Sequence, residues 1–290
     1  MKTGNPPRLL RQPCPETASV FESLSVADLI WVAEDDMVNQ VTIEHLLSCH
    51  CLKSRFFPNG EALCLSLREA YDTRQALPAL ILMDLEMPVL NGIEASQILR
   101  SAGWDFPIVA LTASPSAEII QTCHDYGIDD VLSKPFDRFS LRSCLQRYLG
   151  PLFSTLSGPA PSPLPSVSNA DSVDLPTLLN RVMGKQAVAI SALSLFVSQY
   201  QDSSEDLKRL LQQKQFPEIQ RLIHKLLGAA ANISANKLIL QLEQLRAALR
   251  DTNDANALSV LQMMQQEFAQ IAVCLTQIQQ SVTEDRKSTA

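Results

Sequence analysis

The chain has 290 residues, more than the ~100–200 of a typical domain, so two domains are expected. Hydrophobic residues at 46% supply ordinary cores, and the 9 glycines form neither G-x-G-x-x-G nor G-x-x-x-x-G-K-[ST], which excludes a glycine-rich loop for nucleotide phosphates. With 24 basic against 31 acidic residues the net charge is −7, the wrong sign for a nucleic-acid partner.

Residues 1–27 carry prolines where a signal peptide needs an apolar stretch, and read as a flexible N-terminal segment. No run approaches the ~20 apolar residues of a membrane helix, so no membrane insertion and a cytoplasmic location are expected. The 7 cysteines form no C-x-x-C and read as reduced thiols.

From residue 28 to 150, short apolar runs alternate with amphipathic stretches. The runs are 29–33, 79–83, 108–111 and 131–132, with a weaker one at 55–57. Helical patterns fall near 39–50, 60–71, 91–102, 115–126 and 137–148. Strands alternating with helices imply a doubly wound parallel sheet covered on both faces. Residues 151–172 open with 5 prolines and no charge in their first 20 positions, the composition of a linker. Residues 173–281 show only helical periodicity, near 174–183, 187–212, 216–232, 236–250 and 255–281, and short turns between them predict an all-α up-and-down bundle. On 236–250 the apolar positions Leu238, Leu240, Leu242, Leu245 and Leu249 suggest one buried stripe. Residues 282–290 read as a flexible tail. Charge divides unevenly: residues 28–150 hold 17 acidic and 9 basic side chains, residues 171–290 hold 12 of each.

In an open parallel sheet, chemistry lies beyond the carboxyl ends of the strands. Here the first strand runs into Glu34-Asp35-Asp36, the third ends in Asp84, the fourth in Thr112 and the fifth in Ser133-Lys134-Pro135. Clustered carboxylates repel one another and favour a divalent cation, and Mg²⁺ takes one or two carboxylates plus phosphate oxygen and water. Lys134 and Thr112 could then stabilise the oxygens of a transferring phosphoryl group, with Asp84 as nucleophile.

This constellation resembles the receiver domain of two-component response regulators. It comprises Ala33-Glu34-Asp35-Asp36, Met83-Asp84-Leu85-Glu86-Met87-Pro88 with Asn91-Gly92, Ala110-Leu111-Thr112-Ala113 and Ser133-Lys134-Pro135-Phe136. The resemblance implies a flavodoxin-like α/β fold with Asp84 as the aspartyl-phosphate site. It also implies Mg²⁺ held by Asp35, Asp84 and the Glu86 carbonyl, with Glu34 acting through metal-bound water, and Thr112 and Lys134 on the phosphoryl oxygens. Val131 stands where receivers usually carry Tyr or Phe, so the aromatic switch is expected to be missing. The spacing Asp84-Leu85-Glu86 also permits a Mg²⁺-dependent aspartate-nucleophile phosphatase, although Pro88 replaces the threonine such enzymes need.

In the helical half one histidine stands out. His224 lies off the stripe formed by Ile219, Leu222, Ile223, Leu226 and Ala230, and Gly228 follows one turn later. His224, Leu226 and Gly228, with Ala229 to Asn232 after them, resemble the motif of the histidine-phosphotransfer (HPt) domain, which implies that His224 carries a phosphoryl group. Leu227 replaces the lysine usual in that family, and Lys225 points ~100° away from the histidine's side of the helix. His45, Cys49, His50 and Cys51 form a weaker candidate metal group.

Together these features predict a phosphorelay carrier rather than a turnover enzyme. Its expected partners are a sensor histidine kinase and other receiver or HPt domains. A docking adaptor that transfers nothing is the rival reading.

Overall fold

The computed structural model describes residues 30–113, 115–136, 138–156, 172–251 and 254–288. The expected N-terminal segment and most of the expected linker lie outside the described residues. An α/β body and a helical bundle are each described by themselves.

The α/β body runs β1 (Ile30–Ala33), α1 (Met37–Ser48), β2 (Ser54–Phe57), α2 (Gly60–Asp72), β3 (Leu80–Asp84), α3 (Gly92–Ser101), β4 (Ile108–Thr112), α4 (Ala117–Asp125), β5 (Asp130–Ser133) and α5 (Arg138–Leu156). The five strands form one sheet in the order β2-β1-β3-β4-β5, and β1 with β2, β1 with β3 and β3 with β4 pair in parallel. Both faces are sealed. Trp31, Ile81, Met83 and Ala110 face one apolar cluster, while the alternate residues Ile30, Val32, Leu82 and Leu111 are equally buried on the other side. Each buried Leu or Ile contributes ~1.5–3 kcal/mol relative to its exposed state.

The weakly apolar edge strand β2 holds through aromatic contact. Trp31 and Phe57 lie 4.8 Å apart, and the Arg55 guanidinium sits 5.1 Å and 5.2 Å from their ring centroids. A buried ion pair ties the far end of α3 to the chain before β4 and β5. Arg100 donates to Asp129 at 2.8 Å and also to the carbonyls of Trp104, Phe106 and Gly127. Asp129 in turn accepts the Ile108 amide at 2.8 Å.

Helix α5 continues to Leu156, six residues into the stretch expected as linker. Gly150 breaks its course with φ 49° and ψ −125°, and Pro151 follows. Glycine tolerates that left-handed backbone, and proline suits the first turn of a renewed helical segment.

The bundle comprises α6 (Leu175–Arg181), α7 (Gln186–Tyr200), α8 (Ser203–Gln212), α9 (Phe216–Asn232), α10 (Asn236–Arg250) and α11 (Asp254–Ser288). Its core includes Leu178, Leu193, Phe196, Ile223, Leu242 and Met264, with Phe196 stacked on Phe268 at 6.0 Å. Three sequence expectations change here. The single helix expected over 187–212 is two, because a new helix starts at Asp202-Ser203. The amides of Glu205 and Asp206 both bond the Asp202 carbonyl at 3.1 Å, and their carboxylates sit in the first turn of α8. Leu240 is 61% exposed, because it lies two residues, or ~200° around the helix, from both Leu238 and Leu242. The last helix runs on to Ser288, past the expected end at 281.

Candidate functional site

Backbone register brings the carboxylates together. Ala33 of β1 pairs with Met83 of β3, so Glu34 is level with Asp84; Asp84 pairs with Leu111 of β4, so Thr112 follows one step on. The ladder continues past the strand ends, with the Glu34 amide bonded to Phe57 O at 3.0 Å and Leu85 N to Leu111 O at 3.3 Å. Glu34 is fully buried, and Asp84 and Thr112 are 3% and 4% exposed.

Glu34, Asp35 and Asp84 each offer a carboxylate oxygen within 4.8 Å of the others. Among the described residues this is the group that could hold a metal ion; His45, Cys49 and His50 do not assemble into one. The donors are hard, anionic and crowded, which fits Mg²⁺ and disfavours softer metals. Glu86 enters differently from its neighbours. Its residue is exposed, and its amide donates to Asp84 Oδ1 at 3.1 Å. Asp36, next in sequence to the triad, instead caps α1 by accepting the Asn39 amide at 2.9 Å. Lys134 follows β5 and is 8% exposed, and its bond to Pro135 is cis. Val131 is half-buried against the apolar cluster beneath the sheet.

In the bundle, His224 stands half-buried on α9, one turn before buried Gly228. Ile219, Ile223, Leu226 and Ala230 are buried as their spacing requires. Leu227 is also buried, at 9% exposure, within the bundle's apolar cluster; the place of the usual lysine belongs to the core here. The end of α9 is closed from α6. Arg181 donates to the carbonyls of Ala231 and Asn232, the latter at 2.7 Å, and to Ser234 Oγ at 3.3 Å. Asp174 caps α6 by accepting Thr177 N and Oγ1, and its own amide bonds Ser234 O at 3.0 Å. A guanidinium at a helix C-terminus satisfies carbonyls that have no partner within the helix and opposes the negative end of its dipole.

Comparison with known families decides the matter. The response regulator receiver domain matches residues 30–146, and the Hpt domain matches residues 191–285. The chain is a receiver followed by an Hpt domain, the pairing of phosphorelay signalling proteins.

The chain is similar to the osmosensing histidine protein kinase SLN1 of Saccharomyces cerevisiae, 32% identical over 126 residues, or 41% of this chain and 10% of that protein. Two-component system protein A of Emericella nidulans is 30% identical over 151 residues, 50% of this chain and 21% of that protein. The sensor histidine kinase RcsC of Salmonella typhi is 27% identical over 137 residues, 46% of this chain and 14% of that protein. The chain thus spans between 10% and 21% of the length of these relatives. Among solved structures, the receiver domain of a sensor histidine kinase from Pseudomonas aeruginosa PAO1, with magnesium coordinated in its active-site cleft, is 32% identical. That match covers 44% of this chain and 99% of the other, with a TM-score of 0.37.

Glu34, Asp35 and Asp84, expected at the strand ends, do come together, whereas Arg181 and the Arg100–Asp129 pair were not among the expected residues. Neither has a local signal. Arg181 closes a helix fifty residues away (|i−j| of 50 to Ala231), and Asp129 lies 29 residues from Arg100. Among the described residues no helix is long and apolar enough to cross a membrane.

Proposed function

We propose that this receiver–Hpt chain relays phosphoryl groups between Asp84 and His224 type sites, with Asp84 as the acceptor from a phosphohistidine. The convergence of Glu34, Asp35 and Asp84 within 4.8 Å at the sheet edge carries this reading. Asp35, Asp84 and the Glu86 carbonyl would hold Mg²⁺, with Glu34 reaching it through water. Bound there, the ion would neutralise charge on the acceptor and on the arriving phosphoryl group.

The chain's own groups do the rest. The Glu86 amide holds Asp84 Oδ1 and so fixes the orientation of the carboxylate whose oxygen attacks. As the O–P bond forms, the N–P bond of the donor breaks; its electron pair stays on the imidazole nitrogen, which takes a proton from solvent. Thr112 and Lys134 receive the phosphoryl oxygens. Such a transfer depends on positioning and electrostatics more than on covalent assistance from the protein. His224 accepts from, or donates to, a receiver by the same exchange in either direction. Val131 removes the aromatic switch, which favours transfer over conformational output. Residues 28–150 and 173–281 are the two working domains. A sensor histidine kinase and other receiver or Hpt domains are the partners, in the cytoplasm, and the protein is a carrier rather than a turnover enzyme.

Labelled phospho-kinase or phospho-Hpt protein tests the reading. Wild type should gain base-labile acyl phosphate and acid-labile, base-stable phosphohistidine. Asp84→Asn should lose the first and His224→Gln the second. A wild type that takes neither label would leave the docking adaptor as the function.

A further inference from the structure

The loop from Leu85 to Asn91 separates Asp84 from α3, and its backbone is held at both ends by glycines. At the near end the Gly92 amide bonds Leu85 O at 3.1 Å. A Cβ on Gly92 would lie 2.2 Å from the Asp84 carbonyl oxygen, so only glycine permits that approach. At the far end Gly60, the first residue of α2, donates its amide to Leu90 O at 3.0 Å. A Cβ on Gly60 would lie 2.8 Å from that oxygen and 2.6 Å from Ala95 Cβ. Asn59 caps the same helix by accepting Ala62 N at 2.8 Å, which leaves the Gly60 amide, one of the helix's surplus donors, for the loop.

Between the two anchors the backbone is strained. The Leu90 amide bonds Pro88 O at 2.8 Å, closing a three-residue turn around Val89, whose φ is +68°. Positive φ is costly for a β-branched residue and persists only where the surroundings impose it. The Val89 side chain, 74% exposed, is not what imposes it. The backbone anchors are.

We infer that Gly60 is a positioning residue for the phosphoacceptor. By holding Leu90 it keeps the Val89 turn closed, and the closed turn keeps the Glu86 peptide against Asp84. The Glu86 amide fixes Asp84 Oδ1, and the Glu86 carbonyl is one of the proposed Mg²⁺ ligands, so a displaced loop would disturb both. This inference rests on the reading of Asp84 as the Mg²⁺-assisted acceptor.

Two collisions at Gly60 allow a clean test in the full chain. Gly60→Ala introduces both. Adding Ala95→Gly removes the contact with the Ala95 methyl and leaves the one with the Leu90 carbonyl. Relative to Ala95→Gly alone, the double variant should regain urea stability close to that reference. Because the collision with the Leu90 carbonyl remains and shifts the loop, it should keep a small residual loss of stability, bind Mg²⁺ about tenfold more weakly by calorimetry, within the 10–100-fold typical of residues that orient metal ligands, and label more slowly from a small phosphoramidate. Equal Mg²⁺ affinity and labelling in the double variant and its reference would overturn the inference. Should the Gly60 variants fail to fold, a Mg²⁺ titration of wild type by NMR serves instead. The Gly60 amide should shift with the same midpoint as that of Glu86, and a stationary Gly60 amide overturns the inference. A wild type that neither binds Mg²⁺ nor accepts label overturns the Asp84 reading itself; with that wild type active, only the role of Gly60 is at issue.

Discussion

The receiver and the Hpt domain hold their proposed phosphoryl carriers by opposite means. In the receiver the proposed acceptor is one member of a group gathered from the ends of separate strands, and loops held by backbone hydrogen bonds set its geometry. In the Hpt domain the proposed carrier is a single imidazole on one helix, and the helix needs only its packed stripe and closed end. A site built by convergence depends on many distant tethers, whereas a site on a helix face depends on the integrity of that helix. The receiver should therefore be sensitive at places far from its acids, and the Hpt domain mainly at the end of α9.

The largest effect should follow removal of the Arg100 brace. The side chains of Arg100 and Asp129 are 9% and 14% exposed, and Arg100→Ala would leave the Asp129 carboxylate without its guanidinium, with the Ile108 amide still bonded to it. Breaking such a pair typically costs ~3–5 kcal/mol. Urea unfolding followed at the receiver tryptophans should show that loss, with the bundle transition unmoved; a shift in both would blur the contrast between the domains.

Arg181→Ala is the matching change in the Hpt domain. Losing charge-assisted hydrogen bonds to the end of α9 should cost ~1.5–3 kcal/mol and speed amide exchange near Ser234, with the receiver unaffected. Unchanged exchange there would show that α9 needs no closure from α6.

A smaller effect should separate the domains by pH. Burial, and secondarily the Asp130 carboxylate, push the Cys144 thiol up from 9.0 to about 12. Below pH 9 the thiol is neutral in both folded and unfolded chains, and its contribution is fully present. As pH rises toward 12 the unfolded thiol ionises first, so folding is progressively disfavoured, by ~1 kcal/mol at pH 10. Tyr148, raised mainly by burial, acts in the same direction. Cys144→Ala should flatten the alkaline fall in receiver stability measured by thermal unfolding between pH 8 and 10. An unchanged fall would assign it to the receiver's other raised groups, Cys64, Cys123 and Tyr148.

The smallest effect belongs to the strained turn. Val89→Gly removes the penalty of positive φ, ~1–2 kcal/mol, while adding unfolded-chain freedom worth ~0.5–1 kcal/mol. A net gain of about 0.5–1 kcal/mol in urea unfolding is expected, and a loss would mean that Val89 is not strained.

Local signals made much of this legible. Buried parallel strands are largely apolar, so β1, β3 and β4 stood out, and the acids stood out because they follow the runs of β1 and β3. His224 was visible because helical periodicity places it off the buried stripe, whereas Gly228, which the same periodicity set on its side, is buried. Features that depend on partners distant in sequence were not legible. The break at Asp202 was hidden because apolar spacing continues through Tyr200 and Leu207 on either side of it. Leu227 read as a missing lysine and is a core side chain, a distinction only packing reveals.

The sequence by itself determined the order of elements, the identity of the ionisable groups and the chemistry they can perform. These follow from residue type and periodicity, which are local properties. Only the tertiary structure decided that Glu34, Asp35 and Asp84 meet within 4.8 Å, that Arg100 reaches Asp129, and that a glycine at the start of α2 abuts the loop beside the acceptor. Strand register and close packing determine such distances, and both are set by contacts between segments far apart in the chain.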